Sequence, residues 1–392
     1  MRRLLLAAVT ALFVSGPGTT TEAATDDEIA RAVAEVIVEE YPDLTLDAVG
    51  RALRKTWASI QFIMYHEIAH MLIHEYQLPV LGWEEDAADT LAVAMLVGNE
   101  TDENYETLYA AIQDWAINRG DPATLTNAHF YDEHSFNLQR AYHATCLLVG
   151  RDRDRYGPIA DIMQMPDDRR EKCVYISERA LDGWRAVLKP HLLPRDAPRT
   201  GGAFVLDYVQ PEPGMTYLLG QMLMEMKFLE KVEALIAGNF DLPRDLQIAT
   251  APCGTVNAFY RRDPPAIVMC YEMVFAKFSQ FTNYEMGLAA REESDRMDGT
   301  TPPETETGAA QSRFGGAVDQ SGWSITVTSE GEWSGRDASG NELRMPSTPT
   351  TKGLDNARRC PGRGRRGILP PPACLAGSHR RVRASRGRPS FR

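Results

Sequence analysis

The chain has 392 residues, of which 43% are hydrophobic, so it can form one large domain or two ordinary domains with a substantial core. Its net charge of −12 is unevenly distributed: residues 351–392 contain twelve Lys or Arg and one acid, a net +11, which leaves −23 for residues 1–350. This acidic body argues against nucleic-acid binding by the folded part and favours soluble or cationic partners.

The N-terminus has the pattern of a cleavable export signal. Arg2 and Arg3 precede an apolar run at residues 4–14, and residues 21–23 resemble a signal-peptidase site. The run is too short to span a membrane, and no later stretch reaches eighteen apolar residues, so no transmembrane segment is expected. We therefore predict a signal peptide over 1–23 and a periplasmic or secreted mature protein.

Residues 45–77 have helical spacing and contain an HExxH motif. His66 and His70 stand at i and i+4, which places them on one face of a helix about 6 Å apart, so they can bind one metal ion. Residues 57–76 contain neither Gly nor Pro, and apolar residues surround the histidines, as in a buried helix. Glu67 then faces the water that a catalytic zinc activates, where its carboxylate can take a proton. A pair of core histidines bonded to backbone carbonyls is the alternative.

A second helix, predicted over 84–97, begins with a cluster of acids. Acids at a helix N-terminus commonly complement the helix dipole, which is our interpretation of Glu84 and Asp86. Glu85 and Asp89 share one face at i and i+4. We favour Glu85, fifteen residues after the second histidine, as the third metal ligand over the alternatives Glu84 and Asp86. We predict Asp89 as acceptor of a proton from the outer ring nitrogen of one histidine.

The other elements are predicted from periodicity. Helical spacing occurs over 26–41, 101–119, 137–149, 167–188 and 216–238, with a Pro-, Arg- and Gly-rich linker over 189–202. Alternation predicts strands over 204–209, 246–250, 255–260 and 266–273, the last three forming a short antiparallel sheet. Beyond about residue 291 the chain is rich in Thr, Pro, Gly and Arg, and apart from one possible strand at 323–328 we predict disorder.

These motifs resemble the gluzincin pattern of thermolysin-like and CAAX-protease-like enzymes, in which HExxH is followed by ExxxD or ExxAD. More closely, residues 66–92, 131–150 and 253–273 resemble a bacterial family of exported, predicted zinc metallopeptidases that is catalogued as a domain of unknown function. The resemblance runs over roughly residues 25–290 and implies a zinc site of His66, Glu67, His70 and Glu85. It implies no particular substrate.

The resemblance implies a zincin-like helical metallopeptidase core, and the elements predict a mainly α (α+β) fold with a small antiparallel β element near the C-terminal end of the folded region. The expected parts are a signal peptide (1–23), a helical domain with the HExxH site (24–195), an α+β subdomain (196–290) and a basic tail (291–392). Zincins generally have a substrate-binding edge strand just before the HExxH helix, whereas this chain has helical sequence there. The strand is therefore expected from 204–209 or 246–273.

The implied activity is hydrolysis of a peptide or protein substrate with Zn²⁺ as cofactor and Glu67 as general base. Enzymes of this class place a His, Tyr or Arg where it can donate to the oxyanion. Tyr131, His134, Arg140 and His143 are the candidates, of which we favour His134. Two alternatives stay open: an exported non-catalytic zinc-binding or interaction protein, and a zinc hydrolase of a non-peptide amide. A general base favours an enzyme, because a structural zinc site does not need one.

Cysteines in an exported chain favour disulfides. The chain contains six, two of them in the basic tail and four in the part predicted to fold. Four cysteines permit three pairings, so the sequence alone leaves the connectivity open. We favour Cys146–Cys173 and Cys253–Cys270, because each pair flanks a single local unit.

Overall fold

The computed structural model describes residues 24–120, 126–194 and 197–297, apart from the side chains of 128, 129 and 292–297, and three strands between 324 and 344. The predicted signal peptide and most of the predicted disordered tail lie outside the described residues. Contacts divide the chain into two units, Met1–Ala317 and Val318–Arg392. None of the described helices is both long enough and apolar enough to cross a bilayer.

Helices dominate the first unit, so the predicted mainly α (α+β) fold class is confirmed. They are α1 (Asp26–Glu40), α2 (Leu46–Glu75), α3 (Glu84–Val97), α4 (Asp102–Ile117), the single turn α5 (Asn127–Phe130), α6 (Asn137–Arg151), α7 (Arg153–Ile162), α8 (Asp167–Leu188), which continues into a 3₁₀ turn (Lys189–His191), α9 (Met215–Glu225), α10 (Phe228–Ala237) and α11 (Tyr271–Met297).

Helix α2 is the central element of this unit. Its N-terminus is capped by the Thr45 hydroxyl, which accepts the N–H of Ala48, and eighteen of its thirty residues are buried. It packs against α1, α3, α4 and α11 and against strand residues of the C-terminal part of the unit. A helix covered on nearly all sides explains why its sequence is apolar around the two histidines.

Four strands form one sheet in the order β1-β2-β4-β3. They are β1 (Phe204–Tyr208), β2 (Leu246–Ala251), β3 (Ala258–Arg262) and β4 (Pro265–Cys270). Strands β1 and β4 run parallel to β2, and only β3 is antiparallel to its neighbour β4. The predicted antiparallel sheet is therefore corrected to a mixed sheet. Parallel pairing of β1 with β2 is possible because α9 and α10 provide the long connection that it needs.

The single helix predicted over 216–238 is also corrected, because the structure has two helices there. Lys227 adopts the left-handed conformation, with φ of 54°, and so ends α9 and starts α10. The break turns the chain so that Phe228 and Leu229 are both buried. No Gly or Pro marks the break, which is why apolar periodicity alone joined the two helices.

Three helices were not predicted: the single turn α5, α7 and α11. Helix α7 contains Pro158 in its interior, and α11 begins directly after β4, where the predicted strand was extended to residue 273. Helix α11 is fixed on α2 by a buried ion pair: Glu285, with a side chain 2% exposed, accepts from Arg51 Nε at 2.6 Å and from Lys55 Nζ at 2.5 Å. The last helix is thus part of the same core as the HExxH helix.

Two disulfides cross-link this unit. Cys146 joins Cys173 between α6 and α8, and Cys253 joins Cys270 between the segment after β2 and the end of β4. These are the two pairings favoured from the sequence. In the second unit, β5 (Ser324–Val327), β6 (Trp333–Arg336) and β7 (Glu342–Arg344) form an antiparallel sheet.

Candidate metal centre

Three potential ligand atoms converge where α2 meets α3. His66 Nε2 lies 3.1 Å from His70 Nε2, and Glu85 Oε2 lies 3.1 Å from the first and 3.3 Å from the second. Ligand atoms at about 2.1 Å from a tetrahedral ion are about 3.4 Å apart. The three side chains therefore fit one small divalent cation, and the structure brings together the ligand set predicted from the sequence.

The outer nitrogens of both histidines meet carboxylates. His66 Nδ1 lies 2.8 Å from Asp89 Oδ1, and His70 Nδ1 lies 2.9 Å from Glu84 Oε1. Such partners keep Nδ1 protonated and direct the Nε2 lone pair towards the metal position. This contact was predicted for Asp89, whereas Glu84 was interpreted as a complement to the helix dipole. Local spacing does not contain the register of the two helices. They run antiparallel, so the histidine later in α2, His70, contacts the acid earlier in α3, Glu84.

A buried arginine supports the first of these carboxylates. Arg140 on α6 donates to Asp89 through Nε at 2.7 Å and Nη2 at 2.8 Å, and its guanidinium lies 4.6 Å from the centre of the Trp115 ring. Burial raises the pKa of Asp89, but the hydrogen bonds from Arg140 and His66 outweigh it and bring the pKa to about 2. Asp89 is therefore ionised at neutral pH and accepts from His66.

The hydrogen bonds have a matching effect on the first histidine. Burial lowers the pKa of His66, yet its contacts to Asp89 and Glu85 raise the pKa to about 9. Without a cation the imidazole is thus protonated between two carboxylates. The concentration of negative charge around these rings is what a divalent cation would neutralise.

Glu67 is buried beside the ligands, on the side of α2 that faces β3, and is 6% exposed. Burial raises the pKa of its carboxyl, while His66, His70 and the backbone amide of Tyr260 act in the opposite direction. A carboxyl with a raised pKa, held next to a metal position, has the properties of a general base that also releases its proton.

Strand β3 is the edge of the sheet that packs on α2. The N–H of Cys270 donates to the carbonyl of Asn257, so alternate residues of this strand pair with β4 while Ala258, Tyr260 and Arg262 turn their backbone groups outward. The chain thus has an edge strand beside the HExxH helix, and it comes from 246–273, one of the two segments from which it was expected.

Tyr260 ties this strand to the end of α2. Its hydroxyl donates to Glu75 Oε1 at 2.6 Å, and Glu75, 3% exposed, also accepts from Arg244 Nε at 3.0 Å. His74 Nδ1 lies 3.3 Å from the same hydroxyl. The third histidine of α2 therefore contacts the edge strand, two turns beyond His66.

His134 reaches the site from the loop between α5 and α6. Its Nε2 lies 2.8 Å from Glu85 Oε2, and its ring stacks on that of His66 with 6.4 Å between the ring centres. The loop is fixed to α3 by Ser135, whose hydroxyl donates to Asp86 at 3.0 Å. The side chain of His134 is 47% exposed, so it lies at the open side of the centre.

The other three candidates for the oxyanion donor lie elsewhere. Arg140 is bonded to Asp89 on the outer side of His66. His143 Nε2 lies 3.2 Å from the Thr90 hydroxyl, and Tyr131 is 73% exposed on the loop surface. Among the described contacts, only His134 of the four candidates touches a member of the ligand triangle.

One family model matches the chain, over residues 31–188 and 208–301, which is more than half of its length. The description of that family reads “Putative metallopeptidase”. The matched ranges include α2 and α3 with all three potential ligands, the loop of His134, and the edge strand. No curated protein and no solved structure matches the chain.

Proposed function

We propose that this chain, which belongs to the family described as “Putative metallopeptidase”, is a zinc-dependent peptidase. The observation that carries the proposal is the triangle of His66 Nε2, His70 Nε2 and Glu85 Oε2 with the buried Glu67 beside it. Two imidazoles and one carboxylate are ligands that zinc prefers in hydrolases. When bound, zinc supplies Lewis acidity, which acidifies water and polarises a carbonyl group.

Glu67 is assigned as the general base. Its raised pKa lets the carboxylate accept a proton from the attacking water and pass that proton to the leaving amine. The side chain is buried where α2 faces β3. The low dielectric of a buried position strengthens its interaction with the positive charge that develops on the amine.

His134 is assigned as the donor to the oxyanion. Its Nε2 contacts Glu85 of the ligand triangle, and its half-exposed side chain can turn from there to a substrate oxygen. An imidazole N–H placed there stabilises the negative charge that develops on the carbonyl oxygen.

Strand β3 is assigned as the strand that binds the substrate. An extended peptide can pair with the outward N–H and C=O groups of Ala258 and with the C=O of Tyr260, whereas the Tyr260 N–H donates to Glu67 and the Arg262 C=O accepts from Arg244. This pairing requires a peptide main chain, so the edge strand supports a peptide or protein substrate over an isolated non-peptide amide. The set of three ligands with an adjacent base also distinguishes the proposed peptidase from a structural zinc site, which usually has four protein ligands and no adjacent base.

The test is cleavage of an unbiased peptide mixture by the zinc-loaded mature chain, by Glu67→Gln and by Glu106→Gln, an exposed substitution on α4. We expect cuts by the first and the third, a loss of at least about 10³-fold in Glu67→Gln, and one zinc per chain in all three. Bound zinc without cleavage by any of them would favour a non-catalytic zinc protein. Cleavage of other amides but not of peptides would favour the non-peptide hydrolase.

A further inference from the structure

A cavity of about 580 Å³ adjoins the metal centre through Asp89. This carboxylate lines the cavity and also binds His66, which does not line it. The walls come from the start of α3, the loop of Ser135, the beginning of α6, the first turn of α8 and the residue Arg119, just after α4. Its volume lies within the range of about 300–1,000 Å³ that is typical of sites for small molecules.

Only some of the charged side chains that line the cavity have partners among the described residues. Arg140 is bonded to Asp89, and Asp86 accepts from the hydroxyl of Ser135. By contrast, Arg119 and Arg169, which also line the cavity, have no carboxylate within ion-pair distance in the part of the chain that the structure describes. These two guanidinium groups, unpaired among the described residues, stand out in a body whose net charge is −23 for residues 1–350. Guanidinium groups bind carboxylates with two parallel hydrogen bonds, as Arg140 does with Asp89 in this molecule.

The same cavity has an apolar wall. Leu138 and Tyr142 stand one turn apart on α6 and are among the exposed large hydrophobic residues of the described chain, and Phe136 lines the cavity just before them. His143 adds a ring whose pKa is lowered, chiefly by burial, so it is neutral at neutral pH. A ligand for this cavity therefore needs one anionic end and one apolar group.

We propose that the cavity binds a carboxylate that carries an apolar group, with the carboxylate on Arg119 and Arg169 and the apolar group on Leu138 and Tyr142. Such a ligand is either a free organic acid or the free C-terminal residue of a peptide. In the second case the inference rests on the proposed peptidase function, and the cavity would make the enzyme prefer substrates with a free C-terminus.

Calorimetry on the metal-free full chain tests this without requiring activity. The probes are N-acetyl-L-phenylalanine and its amide, which has the same shape without the charge. We expect saturable binding of the acid and at least about tenfold weaker binding of the amide. Arg119→Ala and Arg169→Ala should each weaken binding of the acid about tenfold, whereas Arg179→Ala, exposed on α8 outside the cavity, should leave it unchanged.

The inference would be overturned by equal binding of acid and amide, by an affinity that neither arginine substitution changes, or by no saturable binding up to about 10 mM acid. Tighter binding of inorganic phosphate than of the acid would also overturn it, because the apolar wall would then contribute nothing.

The two sources of the carboxylate are separated by matched peptides with free and amidated C-termini, given to the zinc-loaded enzyme. If peptides are the source, the free-acid peptide should have a KM about tenfold lower than the amide, and Arg169→Ala should abolish the difference. If a free acid is the source, the two KM values should agree. Failure of all cleavage would count against the proposed peptidase function and leave the calorimetric result unaffected.

Discussion

The two sides of the candidate site are built differently. On the helix side, His66 and Glu85 come from packed helices, and the carboxylate behind the histidine, Asp89, is 8% exposed. On the open side, His134 lies on a loop with 47% of its side chain exposed, and Tyr260 belongs to an edge strand. Buried, packed side chains can hold a cation in a fixed geometry, whereas exposed side chains are accessible to a substrate. Substitutions should therefore affect metal affinity and turnover separately.

Apart from the loss expected for Glu67→Gln, the largest effect on turnover is expected on the open side. His134→Ala should lower kcat by about 10²–10³, because it removes a donor to the oxyanion, and should leave zinc affinity within about twofold. Steady-state kinetics and competition with a metal chelator measure the two quantities, with Glu133→Ala as the neighbouring control. A parallel loss of zinc affinity would instead make His134 a metal ligand and weaken the contrast between the two sides.

The helix side predicts the converse result. Asp89→Asn should lower zinc affinity about 10–100-fold, because the Nδ1 hydrogen bond that orients His66 is weakened and Arg140 loses its anionic partner. Chelator competition measures the affinity, and a thermal melt checks that the fold persists. Asp86→Asn is the matched control on the same helix, since Asp86 contacts Ser135 and neither histidine in the described structure. Equal losses in both variants would refute the role of Asp89.

The anchoring of the edge strand predicts a pH-dependent contribution to stability. Burial raises the pKa of Glu75, but hydrogen bonds from Arg244 and Tyr260 outweigh it and lower the pKa to about 2. A carboxyl whose folded pKa lies below its unfolded value stabilises the fold above the unfolded pKa, and that stabilisation is lost as the pH falls towards the folded value. Glu75→Gln should cost about 2 kcal/mol at neutral pH, and less than about half of that near pH 3.

Urea denaturation of the wild type and of Glu75→Gln at both pH values measures this difference. Glu40→Gln, at the exposed last residue of α1, serves as the control with no ion pair in the described structure. A difference that does not change with pH would mean that Glu75 stabilises β3 by packing rather than by charge.

The smallest effect on zinc affinity is expected for the carboxylate that contacts the second histidine, His70. Glu84, the partner of His70, has 39% of its side chain exposed, so water can replace it. Glu84→Ala should therefore lower zinc affinity less than about tenfold, in the same chelator competition. A loss as large as that of Asp89→Asn would show that exposure does not distinguish the two carboxylates.

The helix side could be predicted from the sequence because its information is local. The spacing of His66 and His70 fixes their common face, and Glu85 with Asp89 repeats the same spacing on the next helix. The contact of Glu84 with His70 required the antiparallel register of two helices, which no local spacing contains. For the same reason the pairing of Arg140 with Asp89, across 51 residues, was not foreseen, and Arg140 stood among the oxyanion candidates.

The C-terminal part of the unit was harder to predict because its structure depends on distant contacts. Strand β3 was recognised only approximately, and its place at the sheet edge against α2 follows from the pairing of β2 with β4. Helix α11 has apolar, charged and β-branched residues that alternate at its start, and its helical state is stabilised by packing on α2 and by the buried Glu285. Propensity gives way to tertiary contacts in such segments.

The proposed metal centre is tested most directly by a crystal structure of the zinc-loaded chain with anomalous diffraction at the zinc edge. We expect one strong peak within about 2.1 Å of His66 Nε2, His70 Nε2 and Glu85 Oε2, with Asp89 outside the ligand set. A zinc ion bound elsewhere, or coordinated by Asp89 or Glu84 in place of Glu85, would contradict it.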